Sequence, residues 1–158
     1  MSNRIVYIMR GLPGSGKSTM AKNMAGATGR VVSADDFFMV DGEYRFDVAK
    51  LGEAHGQCMR RAIEHVQRDV EAPLVVDNTN ISNVEIAPYV LLAQAYGWFP
   101  QILTLHSESA YVVSVCAKRN SHGVPIERVT AMFEQLLREL PATPPWWSQQ
   151  VLTPVIGS

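Results

Sequence analysis

Residues Gly11-Leu12-Pro13-Gly14-Ser15-Gly16-Lys17-Ser18 fit the pattern G-x-x-x-x-G-K-[ST] at every fixed position. Such a match arises by chance in under about 1% of chains of this size. The flanks agree with it. Arg4 to Arg10 is apolar and rich in β-branched and aromatic residues, the mark of a buried strand, and Lys17 to Ala27 reads as a helix. A strand, a glycine-rich turn and a helix N-terminus together form an anion trap. The backbone N–H groups of Gly14 to Lys17 converge on a phosphate, and the helix dipole adds partial positive charge. Gly14, Ser15, Gly16, Lys17, Ser18 and Thr19 are therefore the candidate nucleotide contacts. Lys17 is expected to reach the β- and γ-phosphates, and the Ser18 hydroxyl to help hold Mg²⁺. ATP and Mg²⁺ are the expected cofactors.

The rest of the chain alternates strands and helices. Arg30 to Ser33 is a short second strand ending at Asp35-Asp36, and Asp41-Gly42 is a turn signal. Val48 to Val70 carries apolar residues at a helical period. Leu74 to Val76 is a third strand, ending at Asp77-Asn78-Thr79-Asn80. Ser82-x-x-Glu85 has the form of a capping box, opening a helix that runs to Gly97. Phe99 to Leu105 is a fourth strand, Glu108 to Arg119 a helix and Asn120 to Val124 a loop. Pro125 suits a first helical turn, and Ile126 to Leu140 is strongly amphipathic. This order predicts an α/β fold: a parallel sheet of the P-loop NTPase type, helices on both faces, and a short lid. Residues 1–140 form the expected kinase-like domain, and 141–158 a tail with prolines and tryptophans packed on it. Ligands of such sheets bind where the strands' C-terminal ends lie. The glycine-rich loop, Asp35-Asp36 and Asp77 to Asn80 all fall on that edge.

Composition narrows the possibilities. The formal net charge of −1 argues against a large nonspecific nucleic-acid footprint but leaves room for a local basic groove. Cys58 and Cys116 are isolated and lack metal-ligand spacing, so buried free thiols in a reducing compartment are expected. The first apolar run is too short for a membrane span or a signal segment. The expectation is a cytoplasmic protein with no membrane partner. Oligomeric state leaves no sequence signal.

Phosphoryl transfer needs a phosphate cradle, a metal, a group that takes the acceptor's proton, and cations on the developing charge. Asp35 and Asp36 follow a strand beside the cradle. One should face the site while the other pairs structurally, and Asp35 is the candidate base. The alternative is that both cap a turn. Asp77, the candidate metal residue beside Ser18, could hold a metal-bound water or orient the acceptor; the alternative is a turn aspartate. Lys118, Arg119 and Arg128 flank the loop 120–124, which has the length and the glycine of a lid. His122 reads as a loop histidine and His55 as structural.

With those residues in hand, the chain resembles the P-loop kinase domain of bacteriophage polynucleotide 5′-kinase and its relatives. The resemblance rests on residues 11–19, Asp35-Asp36, Thr79-Asn80, Lys118-Arg119-Asn120-Ser121 and Val124-Pro125-Ile126. It is closer to stand-alone relatives and to kinase-like domains of some animal ubiquitin-ligase-binding proteins. Those share Asp35-Asp36-Phe37-Phe38, Asp41-Gly42-x-Tyr44-x-Phe46, Glu53-Ala54-His55, Asp77 to Asn80 and Arg119-Asn120-x-His122-Gly123-Val124. The resemblance implies Asp35 as general base and Arg119 as the lid arginine on the ATP phosphates, and it gives His55 and Asn80 more weight. The chain departs from the phage enzyme at Phe38, which stands where that enzyme has an arginine gripping the acceptor's phosphate. Phe38 could stack on a base or pack in the core. Asp36, Phe38, Arg45, His55, Asn78 and Asn80 are the candidate acceptor contacts, and Arg60 and Arg61 read as a solvated face.

The expected activity is transfer of the γ-phosphate of ATP to a hydroxyl on DNA. That hydroxyl is either a 5′ end or the hydroxymethyl group of a modified base such as 5-hydroxymethyluracil, which some phage kinases of this superfamily phosphorylate. A phage source would place the protein in host cytoplasm. A small-molecule kinase of the same fold and a non-catalytic ATP-binding module are the alternatives.

Overall fold

A computed structural model describes residues 2–154. In chain order the strands and helices are β1 (Ile5–Gly11), α1 (Lys17–Ala25), β2 (Arg30–Val32), β3 (Met39–Val40), β4 (Glu43–Tyr44), α2 (Leu51–Val66), β5 (Leu74–Val76), α3 (Asn83–Ala95), β6 (Phe99–Leu105), α4 (Tyr111–Arg119), α5 (Ile126–Glu139) and β7 (Gln149–Leu152). Five strands form one parallel sheet in the order β2-β5-β1-β6-β7. The central strand β1 pairs with β5 from Val6 to Ile8 and with β6 along its whole length.

Side-chain alternation along β1 decides how the layers assemble. Val6 and Ile8 face one side, where Ala54, Cys58 and Ala62 of α2 and Ile86, Val90 and Ala93 of α3 cover them. Met9 faces the other side with Val75 and Leu103, against Ala21 and Ala25 of α1. A third cluster joins α4 and α5 through Val112, Cys116, Val129, Phe133 and Leu136 and reaches the glycine-rich loop at Leu12. Helices thus cover both faces, as the alternating pattern predicts.

The structure departs from the sequence expectation by several residues in two helices and by one added strand. The helix expected over Val48 to Val70 begins as a 3-10 turn and is α-helical only from Leu51 to Val66. It stops early because the chain doubles back: the ring Nε2 of buried His65 meets the Ala72 carbonyl at 2.8 Å just before β5. The helix expected from Glu108 begins at Tyr111. The tail supplies an unexpected fifth strand, β7, whose register runs from Ile102↔Gln149 to Leu105↔Leu152. Trp147 packs against the core while Trp146 stays 78% exposed, so only one of the pair covers the domain's edge. Tail residues 155–158 lie outside the described residues. Among the described residues, no helix is long and apolar enough to cross a membrane.

Between β2 and α2, a 3-10 turn (Ala34–Phe38) leads into the small β3–β4 hairpin. Its two-residue loop is Asp41-Gly42, with φ of 52° and 81°. Two successive positive φ values match the right-handed twist of paired strands, and Asp-Gly suits them.

Candidate active site

β1 delivers the chain into the glycine-rich loop at the sheet's C-terminal edge. Gly14 and Gly16 have φ of 81° and 96°, in the left-handed region that disfavours side chains. Gly14 has a second constraint. A Cβ there would lie 2.3 Å from the Cys116 carbonyl oxygen and 2.9 Å from the Asn120 nitrogen, so the loop packs directly on the end of α4. Gly16 caps α1 and leaves its first N–H groups open to an anion. Ser15 is buried and its hydroxyl lacks a hydrogen-bond partner.

Lys17 is buried and donates from Nζ to the Leu12 carbonyl at 2.8 Å. Burial lowers its pKa, while Asp77, Cys116 and Asp35 pull the other way. An arriving phosphate would supply the counter-charge. The Ser18 hydroxyl donates to Asp77 Oδ2 at 2.9 Å. Burial pushes the Asp77 carboxyl up, against the opposing pull of Lys17 and Ser18. Among the described residues, no three His, Cys, Asp or Glu side chains are grouped to hold a metal by themselves. Ser18 and Asp77 instead pair a hydroxyl with a carboxylate. Such hard oxygen donors fit Mg²⁺, which is commonly shared between one or two carboxylates, water and phosphate.

The loop after β5 fastens the edge together. Gly11 N–H donates to the Thr79 carbonyl at 3.0 Å. Asn80, at φ 46° and buried, donates from Nδ2 to the Met9 carbonyl at 2.8 Å. Its positive φ turns the amide back under β1, so it is a structural latch rather than the acceptor contact expected of it. Asn78 is likewise engaged at both ends. Its Oδ1 accepts from Ala34 N–H at 2.8 Å, and its Nδ2 donates to Cys58 Sγ at 3.5 Å. It positions the turn that carries Asp35, and it also lines the cavity described below.

In that turn the capping is done by Ser33, whose hydroxyl accepts from Asp35 N–H at 3.2 Å. The two aspartate side chains are thereby released, and they diverge. Asp36 meets Arg61 at 3.7 Å, while Asp35 accepts from the Tyr44 hydroxyl at 3.0 Å and lies 3.3 Å from His122 Nε2. Burial and the Asp35 charge push the Tyr44 phenol well above its usual range, which keeps it a donor.

These segments surround one cavity of about 1130 Å³, lined by Lys17, Ser18, Thr19, Asp35, Asp36, His55, Asp77, Arg119 and Arg128 among others. Arg45 is not brought to this cavity: it is 63% exposed and paired with Glu43 at 3.2 Å. Phe38 resolves to the packing alternative. It is 3% exposed and sits among Phe37, Tyr44 and Phe46. Phe46, 55% exposed, also lines the cavity, beside Phe38 and Tyr44. Tyr44, Phe46 and the contact of His122 with Asp35 escaped the sequence reading. The only signal for them was their place in the patterns shared with the stand-alone relatives. A smaller groove of 450 Å³ near Trp98 and Trp146, at the start of β6, has no titratable lining.

A parallel sheet, a left-handed glycine loop opening a helix, a buried lysine and a hydroxyl–carboxylate pair define a P-loop, kinase-like ATP-binding domain. The chain belongs to the AAA domain family, whose profile matches residues 6–143. It is 37% identical over 136 residues to NEDD4-binding protein 2 of Homo sapiens, an alignment covering 85% of this chain and 8% of that protein. The chain spans about a tenth of the length of the curated relatives it matches. Among solved structures, a gluconokinase from Sinorhizobium meliloti 1021 aligns with a TM-score of 0.64 at 16% identity, covering 98% of this chain and 85% of that one. Kti12 of Chaetomium thermophilum, solved in complex with ADP-AlF3, aligns with a TM-score of 0.55 at 20% identity, covering 94% and 88%. At these identities the two solved structures speak to the fold alone.

Proposed function

We propose that this domain is a phosphotransferase that moves the γ-phosphate of ATP to a hydroxyl on DNA, at a 5′ end or on the hydroxymethyl group of a modified base. The observation that carries this reading is the position of Asp35. It shares one cavity with Lys17 and Ser18, and its carboxylate is held by the Tyr44 phenol rather than spent on capping its own turn. As the acceptor oxygen bonds to the γ-phosphorus, the hydroxyl proton passes to Asp35. The bond from that phosphorus to the β–γ bridging oxygen breaks, and ADP leaves. Lys17 exchanges the Leu12 carbonyl for phosphate oxygens, and Arg119 and Arg128 bring positive charge from the lid side. Bound through Ser18 and Asp77, Mg²⁺ would neutralise phosphate charge.

The choice of DNA rests on the motif resemblance. The exposed Phe46 ring supports it, because a base can stack there at a cost of few charges. A small-molecule kinase is the second reading. It is favoured by the net charge of −1.

Incubation with γ-labelled ATP and a panel of acceptors separates the readings. The panel holds 5′-hydroxyl DNA and RNA, duplex DNA carrying 5-hydroxymethyluracil, and small polyols. Label in DNA supports the proposal, and nuclease digestion then tells end phosphate from base phosphate. Label in polyols alone overturns the nucleic-acid assignment.

A further inference from the structure

Two side chains from different parts of the chain close on the same carboxylate. His122 Nε2 stands 3.3 Å from Asp35 Oδ2, and the Tyr44 hydroxyl donates to Oδ1 at 3.0 Å. The Tyr44 and His122 rings pack with centroids 4.2 Å apart, so each fixes the other. The lid does not need His122 for its own shape. Asn120 already braces it, donating to the Ala117 and Val124 carbonyls and accepting from Val124 N–H. A histidine that the loop does not require, aimed at the one carboxylate placed to take a proton, has the arrangement of an acid–base pair.

We propose that His122 is a positioning residue that receives, through Asp35, the proton released by the acceptor. This rests on the reading of Asp35 as base. The acceptor proton moves to Asp35 Oδ2 as the new oxygen–phosphorus bond forms and the bond to ADP breaks. It then passes from Oδ2 to Nε2 of neutral His122, in the tautomer with hydrogen on Nδ1. Asp35 is again a carboxylate and His122 an imidazolium, which returns the proton to water when the lid opens. Tyr44 cannot take that proton, since its phenol remains a donor. It holds Oδ1 so that Oδ2 handles the transfer.

The consequence is a pH dependence set by two groups. A protonated His122 cannot accept, so activity needs His122 neutral as well as Asp35 ionised. The other charged and titratable groups facing this cavity are Asp36 on the turn, Lys17 and Lys22 of α1, His55 of α2, Asp77 after β5, Glu85 of α3, Arg119 of α4 and Arg128 of α5. All are retained in a His122 variant, as is the nucleotide, so a difference between the two pH profiles isolates His122.

The test compares wild type, His122→Asn, Tyr44→Phe and Asp35→Asn, all as the full chain with Mg²⁺ and ATP. Single-turnover transfer is followed across pH 5 to 9, with ATP hydrolysis as a second readout in which water is the acceptor. Asparagine keeps a polar amide beside Asp35 but cannot accept its proton at neutral pH. The expected result for His122→Asn is a rate near pH 8 about tenfold lower, and an acid limb displaced about one pH unit or more downward. Tyr44→Phe should slow transfer and leave the limb in place. A His122→Asn limb coincident with wild type, whatever its rate, would reduce His122 to a brace and overturn the inference. His122→Gln replaces the Asn variant if thermal melting shows that protein unfolded. Undiminished transfer by Asp35→Asn would instead remove the reading of Asp35 as base. An inactive Asp35→Asn beside an unmoved His122→Asn limb would remove this inference alone.

Discussion

The Ser18 hydroxyl and the Asp77 carboxylate, 59 residues apart in sequence, meet at 2.9 Å beside buried Lys17. This contact fixes the start of α1 to the end of β5. Because burial raises the Asp77 pKa, the folded chain binds that proton more tightly than the unfolded chain does. The ionised carboxylate therefore costs stability at pH values above its folded-state pKa. That cost is relieved as pH falls through this value toward the unfolded one near about 3.9. Asp77→Asn should raise the melting temperature of the ligand-free protein at pH 8, with the gain fading toward pH 4. The same variant should lose the Mg²⁺ dependence of ATP binding. Melting curves at both pH values, with and without Mg²⁺ and ATP, check both halves.

Gly14 admits no side chain. Its φ of 81° strains any other residue, and a Cβ would sit 2.3 Å from the Cys116 carbonyl, a backbone atom that cannot rotate away. Gly14→Ala should cost about 1–3 kcal/mol from backbone strain and weaken ATP binding by displacing the loop from α4. Urea unfolding and ATP titration measure the two effects separately.

Arg10 is the largest fully buried side chain. Its guanidinium donates to the Ile81 carbonyl at 2.8 Å, Asn83 Oδ1 at 2.8 Å and Thr143 Oγ1 at 3.1 Å. Burial lowers its pKa to about 10, against the pull of Glu139 and Glu85, so it stays charged at neutral pH. It thus ties β1 to the start of α3 and to the tail. Arg10→Ala would strip the Ile81 carbonyl of this donor and leave Asn83 Oδ1 with the Thr143 hydroxyl, and should cost about 1–3 kcal/mol, read from urea unfolding. Arg10 lies outside the nucleotide cavity, so ATP affinity of the folded variant should be largely kept.

The parts of the fold that could be read from sequence are those with local signals. The glycine loop has fixed spacing. β1, β5 and β6 are runs of apolar, largely β-branched residues, and α5 has a clear apolar stripe. β7 was not legible because Gln149-Gln150-Val151-Leu152 is short and half polar. It becomes a strand only because β6 offers it an open edge. At the site, sequence placed Asp35, Asp77, Asn78 and Asn80 on the right edge but could not say where their side chains turn. A positive φ sends Asn80 under β1, and a capping serine frees Asp35. The meeting of Tyr44 and His122 on Asp35 joins a hairpin to a lid far along the chain, and local pattern carries no record of it.

The most direct test sets wild type against Asp35→Asn, with γ-labelled ATP transfer and ATP affinity measured on the same preparations. Asp35 as base predicts transfer lowered by about 10²-fold or more, with ATP binding unchanged. Transfer by Asp35→Asn at the wild-type rate would contradict it, as would a loss of transfer explained in full by lost ATP binding.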